Sequence, residues 1–186
     1  MAENVGQTNA PVRATCIQET LRLAKIGVMG AGDRPGLAAA VLDKIGRRGI
    51  PTALVVELAD LANRSHIIFC VSETRVDDAL AAAREAASEV GAEEVVVQRG
   101  VALVAVQGPH FRDRAGSAAQ AFRAIASAGV NILAISTSIS SICCLVEERS
   151  RAIVINALKT AFGVPDSAIL IAEDGLSRLA HPGRWV

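Results

Sequence analysis

Apolar residues recur along this chain with the helical period of three to four positions. Leu37, Val41 and Ile45 follow one another at intervals of four, which places them on one face of a helix. Three further stretches repeat the pattern: Val76, Leu80, Ala83, Ala87 and Val90; Ala118, Ala121, Phe122 and Ile125; and Ile153, Ala157, Leu158 and Ala161. A glycine follows each stretch, which is typical of a helix C-terminus. The pattern predicts four helices.

Short apolar segments between these helices predict strands. They are residues 13–18, 23–29, 50–58, 66–71, 94–98, 101–107, 130–136, 142–146 and 168–172. We expect a turn at Glu19 and Thr20, and the join between two structural units at Arg99 and Gly100. Asp33 is predicted to cap the first helix, and Thr74 with Asp77 to start the second as a capping box.

The order of elements repeats once along the chain. Gly36 precedes Gly49 by thirteen residues, and Gly116 precedes Gly129 by the same interval. This spacing predicts a duplicated β-α-β-β-α-β unit, and therefore an α+β fold of two ferredoxin-like units in tandem, with antiparallel sheets and helices on one face. The predicted division is a disordered N-terminus (1–12), a first unit (13–98), a second unit (99–172) and a tail (173–186). Which sheet the strand near residues 14–18 completes is left open.

Composition narrows the classes of function. Nineteen basic and nineteen acidic residues cancel, and no basic block is present, which argues against a nucleic-acid partner. No apolar run is long enough to span a membrane, and residues 1–12 lack the apolar centre of a signal peptide, so we predict a soluble, cytoplasmic protein. Cys70, Cys143 and Cys144 lie in apolar strands and are expected to be reduced core thiols rather than metal ligands.

Two short sequence segments resemble those of a known protein family. GAGDRPGLAAAV, residues 30–41, resembles the opening of the first ACT domain of aspartokinases, and AGVNILAISTS, residues 128–138, is similar to a segment of the second. The resemblance spans residues 16–172. It implies tandem ACT domains, which sense small molecules. Because a phosphate-binding lysine loop with a carboxylate cluster is missing, it implies a non-catalytic regulatory subunit or fragment, with no cofactor and no metal.

The resemblance also implies a site for an amino-acid effector of the lysine or threonine type, between the first unit of one chain and the second unit of another. Its expected members are Asp33, Gly36, Ala38 and Glu57 in the first unit, and Asn131, Ile132 and Ser138 in the second. The implied partners are an amino acid, a second copy of the chain in a homodimer, and a separate kinase subunit. Backbone N–H groups at a helix start suit a carboxylate, and Asp33 suits an ammonium group.

The chain departs from the family pattern at three places. Glu57 and Leu58 stand where Gln-Asn is usual, Ile139 stands where Glu follows Ser-Thr-Ser, and residues 114–116 replace His-Pro-Gly. A ligand-free module for dimerisation or scaffolding is therefore an alternative. A cofactor-binding enzyme is a third hypothesis, because Gly30, Gly32 and Gly36 followed by Glu57 resemble a dinucleotide fingerprint.

Overall fold

The structure, a computed structural model, describes residues 12–109, 111 and 114–172. In this part of the chain seven strands form one sheet, with four α-helices. The strands are β1 (Cys16–Gly32), β2 (Val55–Ala59), β3 (Arg64–Ser72), β4 (Glu94–Gln107), β5 (Ala134–Thr137), β6 (Ser141–Glu147) and β7 (Ile169–Ala172). The helices are α1 (Leu37–Arg47), α2 (Val76–Val90), α3 (Ser117–Ser127) and α4 (Arg151–Phe162). The predicted α+β class is confirmed, whereas the predictions for residues 1–11 and 173–186 lie outside the described residues.

Two long strands run through both halves of the sheet. The strand order is β2-β3-β1-β4-β6-β5, with β7 also paired to β1. β1 and β4 are antiparallel neighbours from Cys16, opposite Gln107, to Met29, opposite Glu94. The predicted turn at Glu19 and Thr20 is therefore wrong, and the strands predicted at 94–98 and 101–107 form one strand, β4. At Glu19 and Thr20 the pairing with Val104 and Leu103 keeps the chain extended across residues that locally favour a turn.

Each long strand bends where it passes from one half to the other. Arg22 in β1 and Gly100 in β4 have positive φ angles of 53° and 68°, and the register between the strands shifts on either side of Leu23. The Gly100 N–H donates to Glu73 Oε1 at 2.7 Å, and the Arg22 N–H donates to Glu148 Oε2 at 3.2 Å. A carboxylate that follows β3 or β6 thus accepts a backbone N–H at each bend.

The first residues of β1 lie in the second half of the sheet. Ile17 pairs with Ile169 and Thr20 with Ala172, in parallel orientation. This pairing answers the question left open for residues 14–18. This pair is parallel, whereas the other strand pairs of the sheet are antiparallel, and β1 lies between β7 and β4. The division of the sequence into 13–98 and 99–172 stays a prediction.

Two of the predicted strands begin later than the apolar pattern suggested. β2 begins at Val55 rather than Ile50, and β5 begins at Ala134 rather than Val130. Ile50 and Leu54 are both buried. The apolar side chains that precede β2 thus fill the core from an irregular segment, which period alone does not distinguish from a strand.

The helical faces pack on the sheet in two clusters. Leu37, Val41 and Ile45 are buried against the first half with α2, as predicted. In the second half, α3 and α4 bury a cluster that includes Ile125, Leu158 and Phe162. Ile153, expected on the buried face of α4, is 49% exposed, because Val154 and Ile155 point to the sheet instead.

A third cluster lies on the opposite side of the sheet, where the halves meet. Phe69 and Val71 pack towards α1 and α2, so Cys70 between them faces the other way. Cys70 is buried there with Leu23, Leu54, Val101, Leu103 and Leu145. This cluster covers the sheet face that the helices leave, and it draws on both halves.

The cysteines are free thiols in the described residues. Burial, with a smaller contribution from nearby Cys143, raises the pKa of Cys70 to about 12. Burial likewise raises the pKa of Cys143 to about 11 and that of Cys144 to about 12. These three thiols therefore stay protonated near neutral pH, which fits the predicted role as core residues.

A buried carboxylate connects β1 to the helical layer of the second half. Glu19 is 2% exposed, and its Oε2 accepts a hydrogen bond from Arg151 Nη1, in the first turn of α4, at 2.9 Å. The guanidinium itself remains partly exposed. The pair fixes the first part of β1 beneath α4.

Replacing Arg151 with Met is expected to lower the free energy of unfolding by about 2 kcal/mol, because the Glu19 carboxylate loses its charged partner inside the protein. Arg47→Met is the control, since its ion pair with Asp43 is exposed and is worth at most about 1 kcal/mol. Urea unfolding at neutral pH measures both. Equal losses in the two variants would contradict the role given to the buried pair.

Candidate functional site

A surface pocket of about 420 Å³ opens where β1 ends and α1 begins. Its walls come from the loop between them, from the first turn of α1, and from β2 and β3. Four of the predicted site residues line it: Asp33, Gly36, Ala38 and Glu57. The sequence thus identified one wall of the pocket and one residue of the facing strand, and the fold brings them together.

Gly36 starts the helix that forms this wall. It is the N-cap of α1 with φ 86°, and Gly116 is the N-cap of α3 with φ 89°. The prediction that Asp33 caps α1 is wrong, because no side chain caps this helix. The helix begins after the left-handed residue Gly36, three residues beyond Asp33. The Asp33 carboxylate therefore does not cap the helix and instead lines the pocket. The capping residue before α2 also differs from the prediction. The hydroxyl of Ser72 accepts the backbone N–H of Thr74, so Ser72 rather than Thr74 is the capping residue.

Ser65 links the two carboxylates of the pocket. Its side chain is buried, and its Oγ lies 3.1 Å from Asp33 Oδ1 and 3.4 Å from Glu57 Oε1. A hydroxyl carries one proton and can donate to only one of them at a time. Sequence analysis missed Ser65; its position on β3 opposite Ala59 of β2 becomes visible only once the strands are in register.

The β2–β3 turn holds Ser65 in place. Asp60 Oδ1 accepts the N–H groups of Ala62 at 2.8 Å and Arg64 at 2.9 Å, while its Oδ2 lies 3.4 Å from His66 Nε2. His66 Nδ1 in turn accepts the N–H of Gly30 at 3.3 Å. The Arg64 N–H, then His66 and the Ala62 N–H, hold the pKa of Asp60 below its ordinary value.

A second pocket, of about 590 Å³, opens at the equivalent place in the second half. Gly116 and the first turn of α3 line it together with Ser138 and Ile139. Ser138 Oγ accepts the N–H of Ser141 at 3.0 Å, so this hydroxyl closes the turn between β5 and β6. The other two predicted second-unit members, Asn131 and Ile132, precede β5 and line neither pocket. Within one chain, the two sets of predicted residues are therefore separate.

Known proteins share this architecture. Residues 104–162 match the family described as ACT domain. An aspartate kinase of Pseudomonas fluorescens is 33% identical over 139 residues, and one of Stutzerimonas stutzeri is 31% identical over 150 residues. These matches cover 75% and 81% of this chain, but 34% and 36% of the relatives. The chain therefore spans about a third of the length of these relatives.

Solved structures match over nearly their whole length. The regulatory subunit of aspartate kinase from Thermus thermophilus, in a ligand-free form, superposes with a TM-score of 0.73 at 28% identity, covering 80% of this chain and 98% of that one. The corresponding subunit from Thermus flavus gives 0.74 at 28% identity, covering 81% and 99%. This chain resembles the ACT-domain regulatory region of aspartokinases. The resemblance inferred from the two sequence strings is thus confirmed. Within the described residues, β1 and β2 are not the adjacent parallel strands of a dinucleotide-binding βαβ unit, because β3 lies between them.

Gly36→Ala is expected to lower the free energy of unfolding by about 1–2 kcal/mol, since a Cβ at φ 86° is strained although nothing lies within 4 Å of it. Gly46→Ala is the matched control. Gly46 lies inside α1 with equally open space, so alanine there should stabilise the protein by up to about 1 kcal/mol. Urea unfolding tests both, and a shift of the same sign in the two variants would contradict the conformational explanation.

Asp60→Asn should lower the melting temperature at neutral pH, because the carboxylate that orders the β2–β3 turn is lost. A folded-state pKa below the unfolded one gives stability that is present above the unfolded pKa of about 4 and is lost as pH falls through the folded pKa. The gap between wild type and Asp60→Asn should therefore narrow on acidification from about pH 5 to about pH 2. Thermal unfolding across that range measures it, and a gap independent of pH would refute it.

Proposed function

We propose that this chain is a non-catalytic regulatory protein that senses an aspartate-family amino acid, of the lysine or threonine type, in the pocket beside Gly36. The observation that carries the proposal is the grouping of Asp33, Gly36, Ala38 and Glu57 around one opening. Two of them supply carboxylates and the other two lie at the start of a helix. An α-amino acid needs both kinds of group, because it carries an ammonium and a carboxylate.

The helix start supports the carboxylate half of this proposal. The Leu37 N–H donates to Arg34 O, and the Ala40 N–H donates to Gly36 O. Among the described residues the N–H groups of Ala38 and Ala39, which line the pocket, have no backbone acceptor. Such groups at a helix N-terminus bind anions.

The sheet edges support a site completed by a second copy of the chain. β2 and β5 are the two ends of the strand order. Leu58 on β2 is 63% exposed, and Ile135 on β5 and Ile139 after it are also exposed. An edge strand with exposed apolar side chains is a ready partner for another strand. If β2 of one copy lies beside β5 of the other, Asn131, Ile132 and Ser138 of the second copy approach the pocket of the first.

A ligand shared between two copies gives a route to regulation. It binds the associated state better than the separated one and therefore shifts the equilibrium towards association. One solved structure that resembles this chain, with a TM-score of 0.74 at 27% identity, contains the alpha and beta subunits of an aspartokinase. By analogy we propose that a separate kinase subunit receives the signal from this chain.

The test is a titration of the purified chain with lysine, threonine, methionine and the branched-chain amino acids. We expect at least one of them to raise the melting temperature and the dimer fraction seen in sedimentation. Ala39→Leu, in the exposed first turn of α1 that lines the pocket, should weaken that binding at least about tenfold by filling the pocket.

Ala81→Leu is the matched control, because Ala81 is exposed on α2 away from the pocket. A stable dimer whose melting temperature does not change with any of these amino acids would refute sensing. It would favour the scaffold hypothesis, which the departures at Glu57, Leu58 and Ile139 motivate. Equal loss of binding in both variants would refute the location of the site.

A further inference from the structure

We infer that Glu57 makes the pocket beside Gly36 selective for amino acids with a second positive charge, that is, for diamino acids over neutral ones. The inference rests on the proposed function and adds to it the ligand class and the residue that determines it. It depends on how charge is distributed around Ser65, and not on the resemblance, which predicts a neutral Gln at position 57.

The first step is the supply of hydrogen-bond donors. Asp33 Oδ1 and Glu57 Oε1 both lie within 3.4 Å of Ser65 Oγ. The Ser65 hydroxyl has one proton and donates it to only one of these two oxygens at a time. The other oxygen then receives no hydrogen bond from Ser65. An ammonium group carries three donors and no acceptor. Placed in the pocket, it supplies donors that the single Ser65 hydroxyl cannot give to both carboxylates.

The second step is the balance of charge. Arg34 lines the pocket, but within the described residues it makes no ion pair with either carboxylate. Arg64, next to Ser65 in the chain, binds Glu93 instead. His66 is engaged by Asp60 and Gly30. Among the described residues none of these three side chains forms an ion pair with Asp33 or Glu57, so both carboxylates are open to a cation from the ligand.

The third step concerns what a neutral ligand can do. An α-amino acid places its carboxylate at the N–H groups of Ala38 and Ala39, and its α-ammonium meets one carboxylate of the pocket. A neutral side chain then leaves the other carboxylate with the Ser65 hydroxyl as its donor but with no positive charge beside it, and excluding water from that carboxylate costs binding free energy. A side-chain ammonium binds it. With Gln at position 57 the penalty for a neutral side chain disappears.

The experiment compares lysine with norleucine, which has the same carbon chain without the terminal ammonium, and includes ornithine and threonine. Isothermal titration calorimetry on the chain of 186 residues measures each dissociation constant. For wild type we expect lysine and ornithine to bind at least about tenfold more tightly than norleucine and threonine, the range for a hydrogen bond to a charged group. For Glu57→Gln we expect that ratio to fall to within about threefold, mainly through weaker lysine binding.

Glu94→Gln is the control, because Glu94 is exposed at the start of β4 and does not line the pocket. It removes the same charge from the protein and should leave the ratio as in wild type. If threonine or norleucine binds wild type as tightly as lysine, the inference fails while the proposed function stands. A ratio that Glu57→Gln leaves unchanged, or that Glu94→Gln also abolishes, overturns it too. If none of the four ligands binds, both this inference and binding of the lysine or threonine type fail.

Discussion

The pairing of β1 with β4 is the interaction on which the whole structure depends. These antiparallel strands are neighbours along nearly their full lengths, and every other strand is attached to one of them or to a strand that is. β3 and β2 extend the sheet on one side, and β6 and β5 extend it on the other. The helices then cover each half from the same face. Both strands continue through the bends at Arg22 and Gly100 from one half into the other. The two halves are therefore joined by backbone hydrogen bonds between β1 and β4 as well as by side-chain contacts.

Much of this arrangement can be predicted from the sequence, because helices and their ends are determined by residues close together in the chain. The stripe of Leu37, Val41 and Ile45 and the glycines that follow the helices predict the helices that form. The repeat spacing of Gly36 and Gly116 predicts two equivalent helix starts, and both occur with the same backbone conformation. Four of the seven effector residues that the resemblance implied line one pocket. Asp33, Gly36 and Ala38 lie within one short loop and helix start, whereas Glu57 reaches the pocket from β2.

What the sequence did not show depends on long-range pairing. Nothing near Cys16 indicates that its strand belongs beside β7, because the partner lies at the other end of the chain. Ser65 lies just before the predicted strand 66–71, and only the register of β2 and β3 shows that it belongs to the pocket. Asp33 has the residue type of a helix cap, but Gly36 determines where the helix begins. In the same way the sequence predicts Ile153 on the buried face of α4, whereas the neighbouring Val154 and Ile155 are buried instead. Several consecutive apolar residues on one helix allow more than one assignment of the buried face.

The path of β1 has a consequence for how the protein folds. In the first half β2 and β3 form a hairpin, and the most distant pairing of this half, Lys25 with Gln98, spans less than half of the chain. The second half is complete only when Ile17 meets Ile169, across 152 intervening steps of sequence. Contacts of such separation form slowly, because a long loop must be closed first. During synthesis the N-terminal strand therefore leaves the ribosome long before β7 is made, whereas the strands of the first half are all made once β4 is complete.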